Sequence, residues 1–156
     1  MSTVSPRKIL LVDDTKDIVF VVSRRLKSWG YEPLTADSGE EALRVAQEHI
    51  PDLILLDIMM PKMKGRDVCA RLKADARTAH IPVIFLTALS LPDHIKAGLD
   101  AGAVDYIVKP FEPEELRERI AITLTRYGRP AGHAADGSTG TSAAPSTPTE
   151  PGAAAP

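Results

Sequence analysis

The stretch DLILLDIMMP, residues 52–61, sets four consecutive apolar residues directly before a single carboxylate, Asp57. A continuous apolar run of this length, rather than an alternating one, is typical of a strand that is covered on both faces, as in a parallel sheet. The stretch therefore predicts an α/β fold, and it raises the question of why an acid closes a buried run.

Short apolar runs alternate with longer segments of helical period through the first 128 residues. The predicted strands are 9–12, 31–36, 53–56, 83–86 and 104–108. Pro33 removes a ladder donor from the second strand, and the fifth mixes Asp105 with its apolar residues, so both are expected at sheet edges. Five alternating units with these edges predict a doubly wound parallel sheet of five strands in the order 2-1-3-4-5, with five helices.

Apolar stripes and end signals define the helices. Ser38 and Glu41 have the spacing of a capping box for the second helix, and Pro113 suits the first residue of the fifth. The stripe of the first helix consists of Ile18, Val22, Leu26 and Trp29, and that of the fifth consists of Leu116, Ile120, Leu124 and Tyr127.

Composition favours one folded domain followed by a tail. The 156 residues, 44% of them hydrophobic, are enough for one core but not comfortably for two. Residues 129–156 contain no leucine, isoleucine, valine or aromatic residue and are rich in Ala, Pro, Gly, Ser and Thr. Because such a segment cannot build a core, we expect a domain over residues 1–128 and a disordered tail over 129–156.

Charge and cysteine content limit the function classes. The net charge of -2, without a block of like charges, argues against direct nucleic-acid binding. The single cysteine, Cys69, cannot form an internal disulfide and suits a reducing compartment. Since no stretch has the apolar length of a secretory signal or a membrane span, we expect a cytoplasmic protein that contacts no membrane.

Polar residues follow four of the predicted strands. Asp13 and Asp14 follow the first, Asp57 the third, Thr87 the fourth and Lys109 the fifth. The carboxyl ends of parallel strands share one edge of the sheet, with neighbouring strands about 4.8 Å apart. Singly, these residues have ordinary roles as caps or solvated ends. Their convergence on one edge indicates a binding site.

Three carboxylates at one edge repel one another unless some are protonated or a cation joins them. With no second cysteine and no histidine near these strand ends, the all-oxygen set favours Mg²⁺, which binds few carboxylates together with a phosphate. The chain has no G-x-x-x-x-G-K-[ST] loop to hold ATP by its phosphates. The phosphoryl group is therefore expected to arrive on another molecule.

Asp57 at this position can act as a carboxylate nucleophile that accepts a phosphoryl group as an acyl phosphate. Lys109 stands two strands away, a gap of about 10 Å of which a lysine spans about 6 Å, which leaves room for a phosphoryl oxygen. Thr87, one strand away, can donate a hydrogen bond to another oxygen.

Four motifs carry a family resemblance: ILLVDD, DLILLDIMMPKMKG, PVIFLTA and AGAVDYIVKPF, in this order. They resemble the receiver domain of two-component response regulators, and the resemblance covers residues 7 to about 127. It implies a flavodoxin-like fold and a phosphoacceptor, Asp57, that is served by a sensor histidine kinase or a histidine phosphotransferase. It also implies that Asp13 and Asp14 organise Mg²⁺ with Asp57, and that the backbone carbonyl of Met59 is a further metal ligand.

The same resemblance assigns roles at the ends of the last two strands. Thr87 and Lys109 resemble the pair that reads the phosphate, and Tyr106 resembles the aromatic switch that changes rotamer together with Thr87. A cis peptide bond between Lys109 and Pro110 is implied as well.

Met59 and Leu89 are apolar at positions where members of the family frequently carry polar side chains. Each lies two residues beyond a site residue. We expect both to border the path by which water reaches the acyl phosphate.

A phosphate that recruits Thr87 and Lys109 pulls on the fourth and fifth strands. The change of surface is therefore expected on helix four, strand five and helix five, as a docking face for a protein partner or for pairing of two copies. The candidate residues on this face are His94, Lys96, Tyr106, Glu115 and Arg119.

The sequence favours a phosphoacceptor switch that assists its own phosphorylation and dephosphorylation, rather than an enzyme. A Mg²⁺-dependent aspartyl phosphatase would want a second acid two residues after Asp57, where Met59 stands. A scaffold that never takes phosphate would have no use for the intact five-residue set. We expect a diffusible regulator or a phosphorelay intermediate; the alternative is a subunit whose effector lies on another chain.

Overall fold

The computed structural model describes residues 6–60, 62–88 and 92–127. Within these ranges, strands and helices alternate without exception. They are β1 Lys8–Val12, α1 Lys16–Ser28, β2 Glu32–Ala36, α2 Gly39–His49, β3 Leu53–Leu56, α3 Gly65–Ala74, β4 Val83–Thr87, α4 Pro92–Asp100, β5 Asp105–Val108 and α5 Pro113–Tyr127. The tail expected over 129–156 lies outside the described residues.

The five strands form one parallel sheet in the order β2-β1-β3-β4-β5, which confirms the predicted fold. Pro33 lies in β2 and Asp105 begins β5, so the two strands with sequence features of edges do lie at the edges. This order brings the carboxyl ends of β1, β3, β4 and β5 side by side.

Apolar side chains cover both faces of the sheet. Along β1, Leu10 and Val12 belong to the cluster on the side of α2 and α3, whereas Ile9 and Leu11 pack with α1 and α5. All four residues of β3, Leu53–Leu56, are fully buried. Burial on both faces is the reason that β3 reads as a continuous apolar run rather than an alternating one.

The helices begin at the predicted signals, and two details differ from the expectations. Ser38 accepts a hydrogen bond from the Glu41 amide at 3.2 Å, and the Glu41 carboxylate accepts one from the amide of Asp37 rather than of Ser38. α5 begins at Pro113, as predicted. The expectation that Tyr127 continues the buried stripe of α5 is wrong: it is the last residue of the helix and is 50% exposed.

α4 differs from the other helices in its packing. The other four each bury apolar side chains, for example Val22 and Leu26 of α1, whereas the buried residue of α4 is Gly98. Ile95 of α4 contacts the core but is only partly buried. α4 is therefore held to the sheet by little buried side-chain surface.

None of the helices among the described residues combines the length and the apolar character that crossing a membrane requires.

Candidate functional site

An acidic cluster lies at the carboxyl ends of β1 and β3. Asp13 and Asp14 follow β1, Asp57 follows β3, and one carboxylate oxygen from each lies within 4.8 Å of the others. Asp13 and Asp57 are buried, at 1% and 6% exposure, whereas Asp14 is exposed. The adjacency of β1 and β3 brings Asp57 to Asp13 and Asp14, although more than 40 positions separate it from them in the sequence.

Lys109 reaches directly into the acidic cluster from the end of β5. Its Nζ lies 2.8 Å from Asp13 Oδ2 and 3.4 Å from Asp57 Oδ2. From the strand spacing we expected a gap between Lys109 and Asp57 that could hold a phosphoryl oxygen. In the structure Lys109 instead contacts both carboxylates directly, because two buried carboxylates attract the ammonium group. Burial acts to lower the pKa of Lys109, but the contacts with Asp13 and Asp57 outweigh it and raise that pKa above its ordinary value.

The two buried carboxylates are held in fixed orientations. Asp57 Oδ1 accepts a hydrogen bond from the Met59 amide at 3.0 Å, and Asp13 Oδ1 accepts one from the Thr15 amide at 2.9 Å. The pKa of Asp57 is raised because burial disfavours the ionised form, although the Met59 hydrogen bond and the charge of Lys109 oppose this effect. The site therefore presents an oriented and buried carboxylate.

Gly65 brings α3 against the backbone of the acidic site. Its amide donates to the Ile58 carbonyl at 2.9 Å. A Cβ at position 65 would lie only 2.5 Å from the Asp57 carbonyl oxygen and 2.7 Å from Ile58 Cα. Backbone atoms cannot give way as a side-chain end can, so only glycine fits here. The sequence reasoning missed Gly65, although a glycine eight residues after Asp57 was a visible signal.

The predicted site residues Thr87 and Tyr106 lie in β4 and β5. Thr87 is fully buried at the end of β4, and its carbonyl accepts a hydrogen bond from the Lys109 amide at 2.8 Å. The Tyr106 ring is turned inward at 8% exposure and meets Phe85 edge to face, with ring centres 6.0 Å apart.

The electrostatics of Tyr106 connect it to the acidic site. Burial raises the pKa of Tyr106, the negative charge of Asp57 raises it further, and the guanidinium of Arg66 opposes both. The phenol is thus close enough to Asp57 to respond to its charge. Arg66, the source of the opposing positive charge, lies at the start of α3.

The remaining predicted site residues are placed as follows. The peptide bond between Lys109 and Pro110 is cis. The Met59 side chain is 55% exposed, next to the carboxylate that its own amide holds. Leu89 lies outside the described residues. The role of the Met59 carbonyl as a metal ligand stays a prediction.

The predicted docking face carries ion pairs within the chain. We call the outer surface of α4, β5 and α5 the α4–β5–α5 face. Arg119 Nη1 donates to both carboxylate oxygens of Asp105, at 2.6 and 2.7 Å, and Lys96 pairs with Asp100 at 2.9 Å. Glu115 lies 3.9 Å from Arg119, and His94 is partly buried. Asp105 lies in the edge strand β5, as predicted, and its pairing with Arg119 of α5 is a contact that the sequence did not indicate.

Comparison with known proteins assigns this arrangement to a family. The response regulator receiver domain matches residues 9–121. The solved structure of the chemotaxis response regulator CheY4 of Vibrio cholerae is 35% identical, with a TM-score of 0.73, over 76% of this chain and 99% of that one.

Two curated relatives are longer proteins. The DNA-binding dual master transcriptional regulator RpaA of Synechocystis is 45% identical over 123 residues, which are 78% of this chain and 51% of RpaA. The alkaline phosphatase synthesis transcriptional regulatory protein PhoP of Bacillus subtilis is 42% identical over 120 residues, 77% of this chain and 49% of PhoP. The chain spans about half the length of these curated relatives. Its fold, its acidic cluster and these matches agree, and the chain belongs to the response regulator receiver domain family.

Proposed function

We propose that this chain is a phosphorylation-activated switch in which Asp57 accepts a phosphoryl group from a phosphohistidine of a sensor kinase or phosphotransferase. One observation carries the proposal. The buried Asp57 carboxylate is oriented by the Met59 amide and lies within 3.4 Å of the Lys109 ammonium, at the edge of the sheet where ligands of such folds bind.

Transfer requires Asp57 to act as the nucleophile. A carboxylate oxygen of Asp57 forms a bond to phosphorus, the phosphorus–nitrogen bond to the donor imidazole breaks, and the imidazole leaves with the electron pair. Orientation by the Met59 amide favours this step, because a fixed nucleophile loses little freedom on reaction. Lys109 then faces a phosphoryl group of greater negative charge and is expected to leave Asp13 for a phosphoryl oxygen.

The donor set fits a divalent cation. Three carboxylates with oxygens within 4.8 Å of one another form an all-oxygen set of the kind that Mg²⁺ prefers. Asp13, Asp14 and Asp57 would hold the ion, with the Met59 carbonyl as a further ligand. When bound, Mg²⁺ supplies positive charge that offsets the negative charge developing on the phosphoryl oxygens.

The output is proposed to pass through the α4–β5–α5 face to a protein partner or to a second copy, with no contribution of direct nucleic-acid or membrane binding by the receiver itself. PhoP and RpaA are described as transcriptional regulators and are about twice as long. This supports a transcriptional output reached by docking, whether the effector lies on another chain or on the same polypeptide. Such a pathway would operate in the cytoplasm.

The experiment that tests the proposed function is a phosphotransfer screen. The protein is incubated with Mg²⁺ and either the phosphorylated histidine kinases of its host or acetyl phosphate, and its mass is followed. Addition of one phosphate group supports the proposal. Absence of transfer from every donor, in a folded protein that binds Mg²⁺, would favour a scaffold that takes no phosphate.

We predict that the acyl-phosphate mimic beryllofluoride changes the surface of α4, β5 and α5. The reason is that Thr87 and Lys109 lie at the ends of β4 and β5, so contacts to a phosphoryl group act on these strands. Amide chemical shifts before and after addition, with Mg²⁺ present, measure the change. Shifts confined to α1 and α2 would contradict the prediction.

We predict that polar groups at positions 59 and 89 shorten the lifetime of the acyl phosphate. The exposed Met59 side chain cannot hydrogen-bond a water molecule that attacks in line, whereas asparagine can. Met59→Asn combined with Leu89→Glu is expected to lose phosphate about tenfold faster, which corresponds to about 1.4 kcal/mol of barrier.

Loss of phosphate is timed at saturating Mg²⁺ after removal of the donor. Leu99→Asn, a change of an exposed apolar residue on the outer side of α4, serves as the control. If the double variant loses phosphate no faster than the wild type, these two residues do not limit access of water.

A further inference from the structure

Gly98 of α4 lies directly on two aromatic rings. A Cβ at this position would lie 2.8 Å from Phe85 Cδ2, 3.0 Å from Phe85 Cε2 and 3.2 Å from Tyr106 Cδ2. The distance to Phe85 Cδ2 is shorter than any real Cβ contact and the other two are tighter than ordinary ones, so a side chain at position 98 requires the rings to shift. The Gly98 backbone therefore forms one wall of the space that the inward Tyr106 ring occupies.

Of the two rings, that of Tyr106 has more room to change its position than that of Phe85. Phe85 is fully buried in β4 between the neighbouring strands, so it has no free volume to enter. Tyr106 lies on the edge strand β5 and retains 8% exposure, so of the two rings it is the one already in contact with solvent. A group added at position 98 would accordingly displace the Tyr106 ring rather than Phe85.

The same contact determines how α4 is held. Among the residues of α4, Gly98 is the buried one, and it packs on aromatic carbon atoms of Phe85 and Tyr106. Since α4 buries little side-chain surface of its own, a change in the Tyr106 ring alters one of the few surfaces on which the helix rests. The position of the Tyr106 ring and the position of α4 are thus coupled through the contact at Gly98.

We propose that Gly98 is a positioning residue that provides the inward seat of the Tyr106 ring, and that this seat transmits the state of the acidic site to α4. The claim that the seat transmits the state of the acidic site to α4 rests on the proposed function. The claim that Gly98 seats the Tyr106 ring does not, because the ring lies inward in the protein without phosphate. Gly98 touches neither the carboxylates nor Lys109, and it acts through Tyr106.

The test uses Gly98→Ala in the full chain labelled with 3-fluorotyrosine. The protein has three tyrosines, and loss of a fluorine signal in Tyr106→Phe identifies the signal of position 106. The shift of this signal between H₂O and D₂O reports solvent contact. We expect a small shift in the wild type and a shift close to that of the exposed Tyr127 in Gly98→Ala.

Two further variants separate the seat from a general effect on the helix. Alanine favours helix over glycine by about 1 kcal/mol, so helix propensity alone would tighten α4 and leave Tyr106 inward. Leu99→Ala, on the exposed side of α4, is expected to leave the signal of position 106 unchanged. Adding Phe85→Leu to Gly98→Ala removes ring atoms that the new Cβ would meet, and it should return Tyr106 inward.

Each result decides the proposal. If the solvent shift of the position 106 signal is unchanged in folded Gly98→Ala, or if Tyr106 does not return inward in the double variant, Gly98 does not seat the ring. A single variant that does not fold, together with a double variant that folds with Tyr106 inward, supports it.

The second part is measured with beryllofluoride. Gly98→Ala is expected to accept phosphate at Asp57 as the wild type does, while the amide shifts on α4 largely disappear; full α4 shifts overturn the coupling. If the wild type itself takes no phosphate, the proposed function fails, whereas the solvent shift still decides whether Gly98 seats the ring.

Discussion

Asp57→Asn is expected to abolish incorporation of phosphate from acetyl phosphate or a phosphorylated kinase. The amide that replaces the carboxylate is nearly the same size but cannot attack phosphorus to form an acyl phosphate. Of the other two carboxylates in the cluster, Asp13 is held more closely by Lys109 than Asp57 is, at 2.8 Å against 3.4 Å, and Asp14 is exposed rather than buried in the site. Intact-mass measurement after incubation with donor and Mg²⁺ reads the result directly.

Two controls make the loss at Asp57 specific. Asp100→Asn, a change of an exposed carboxylate on α4, is expected to take phosphate normally. Urea unfolding without Mg²⁺ should find Asp57→Asn at least as stable as the wild type, because burial already disfavours the ionised carboxylate, as its raised pKa indicates. Undiminished labelling of Asp57→Asn at another residue would refute the assignment.

Asp13→Ala and Asp14→Ala are each expected to weaken Mg²⁺ binding at least tenfold, a loss of about 1.4 kcal/mol. Each change removes one of three carboxylates whose oxygens lie within 4.8 Å of one another. Titration calorimetry is the suitable measurement. Fluorescence of the sole tryptophan is not, because Trp29 follows the 13-residue α1, whose length of about 20 Å separates it from the acidic cluster.

The matched control for the metal is Asp67→Ala, an exposed carboxylate of α3 outside the cluster, for which affinity is expected to stay unchanged. Asp13→Ala also removes the closest partner of Lys109, so its effect combines a lost ligand with a released ammonium group. Mg²⁺ affinity that is unaltered in both Asp13→Ala and Asp14→Ala would exclude the acidic pair from the metal site.

The sequence determined the fold because its signals are local. Continuous apolar runs such as Leu53–Leu56 mark strands buried on both faces, and Pro33 marks an edge through its missing donor. Once the strand order follows from these signals, the strand-end residues Asp13, Asp57 and Lys109 must converge, since parallel strands share an edge. The composition of the candidate site could thus be predicted without coordinates.

The contacts inside the site were decided by tertiary structure alone. Lys109 binds Asp13 as well as Asp57, although 96 positions separate Lys109 from Asp13, because two buried carboxylates attract the ammonium group strongly.

Close packing between elements was likewise decided only by the tertiary structure. Nothing in the spacing of Gly98 indicates that it lies on Phe85 and Tyr106, because steric fit depends on how three elements approach in space. Periodicity specifies which face of an element is buried, whereas the identity of the neighbouring atoms, and hence the need for a glycine at a given position, arises only when the elements pack together.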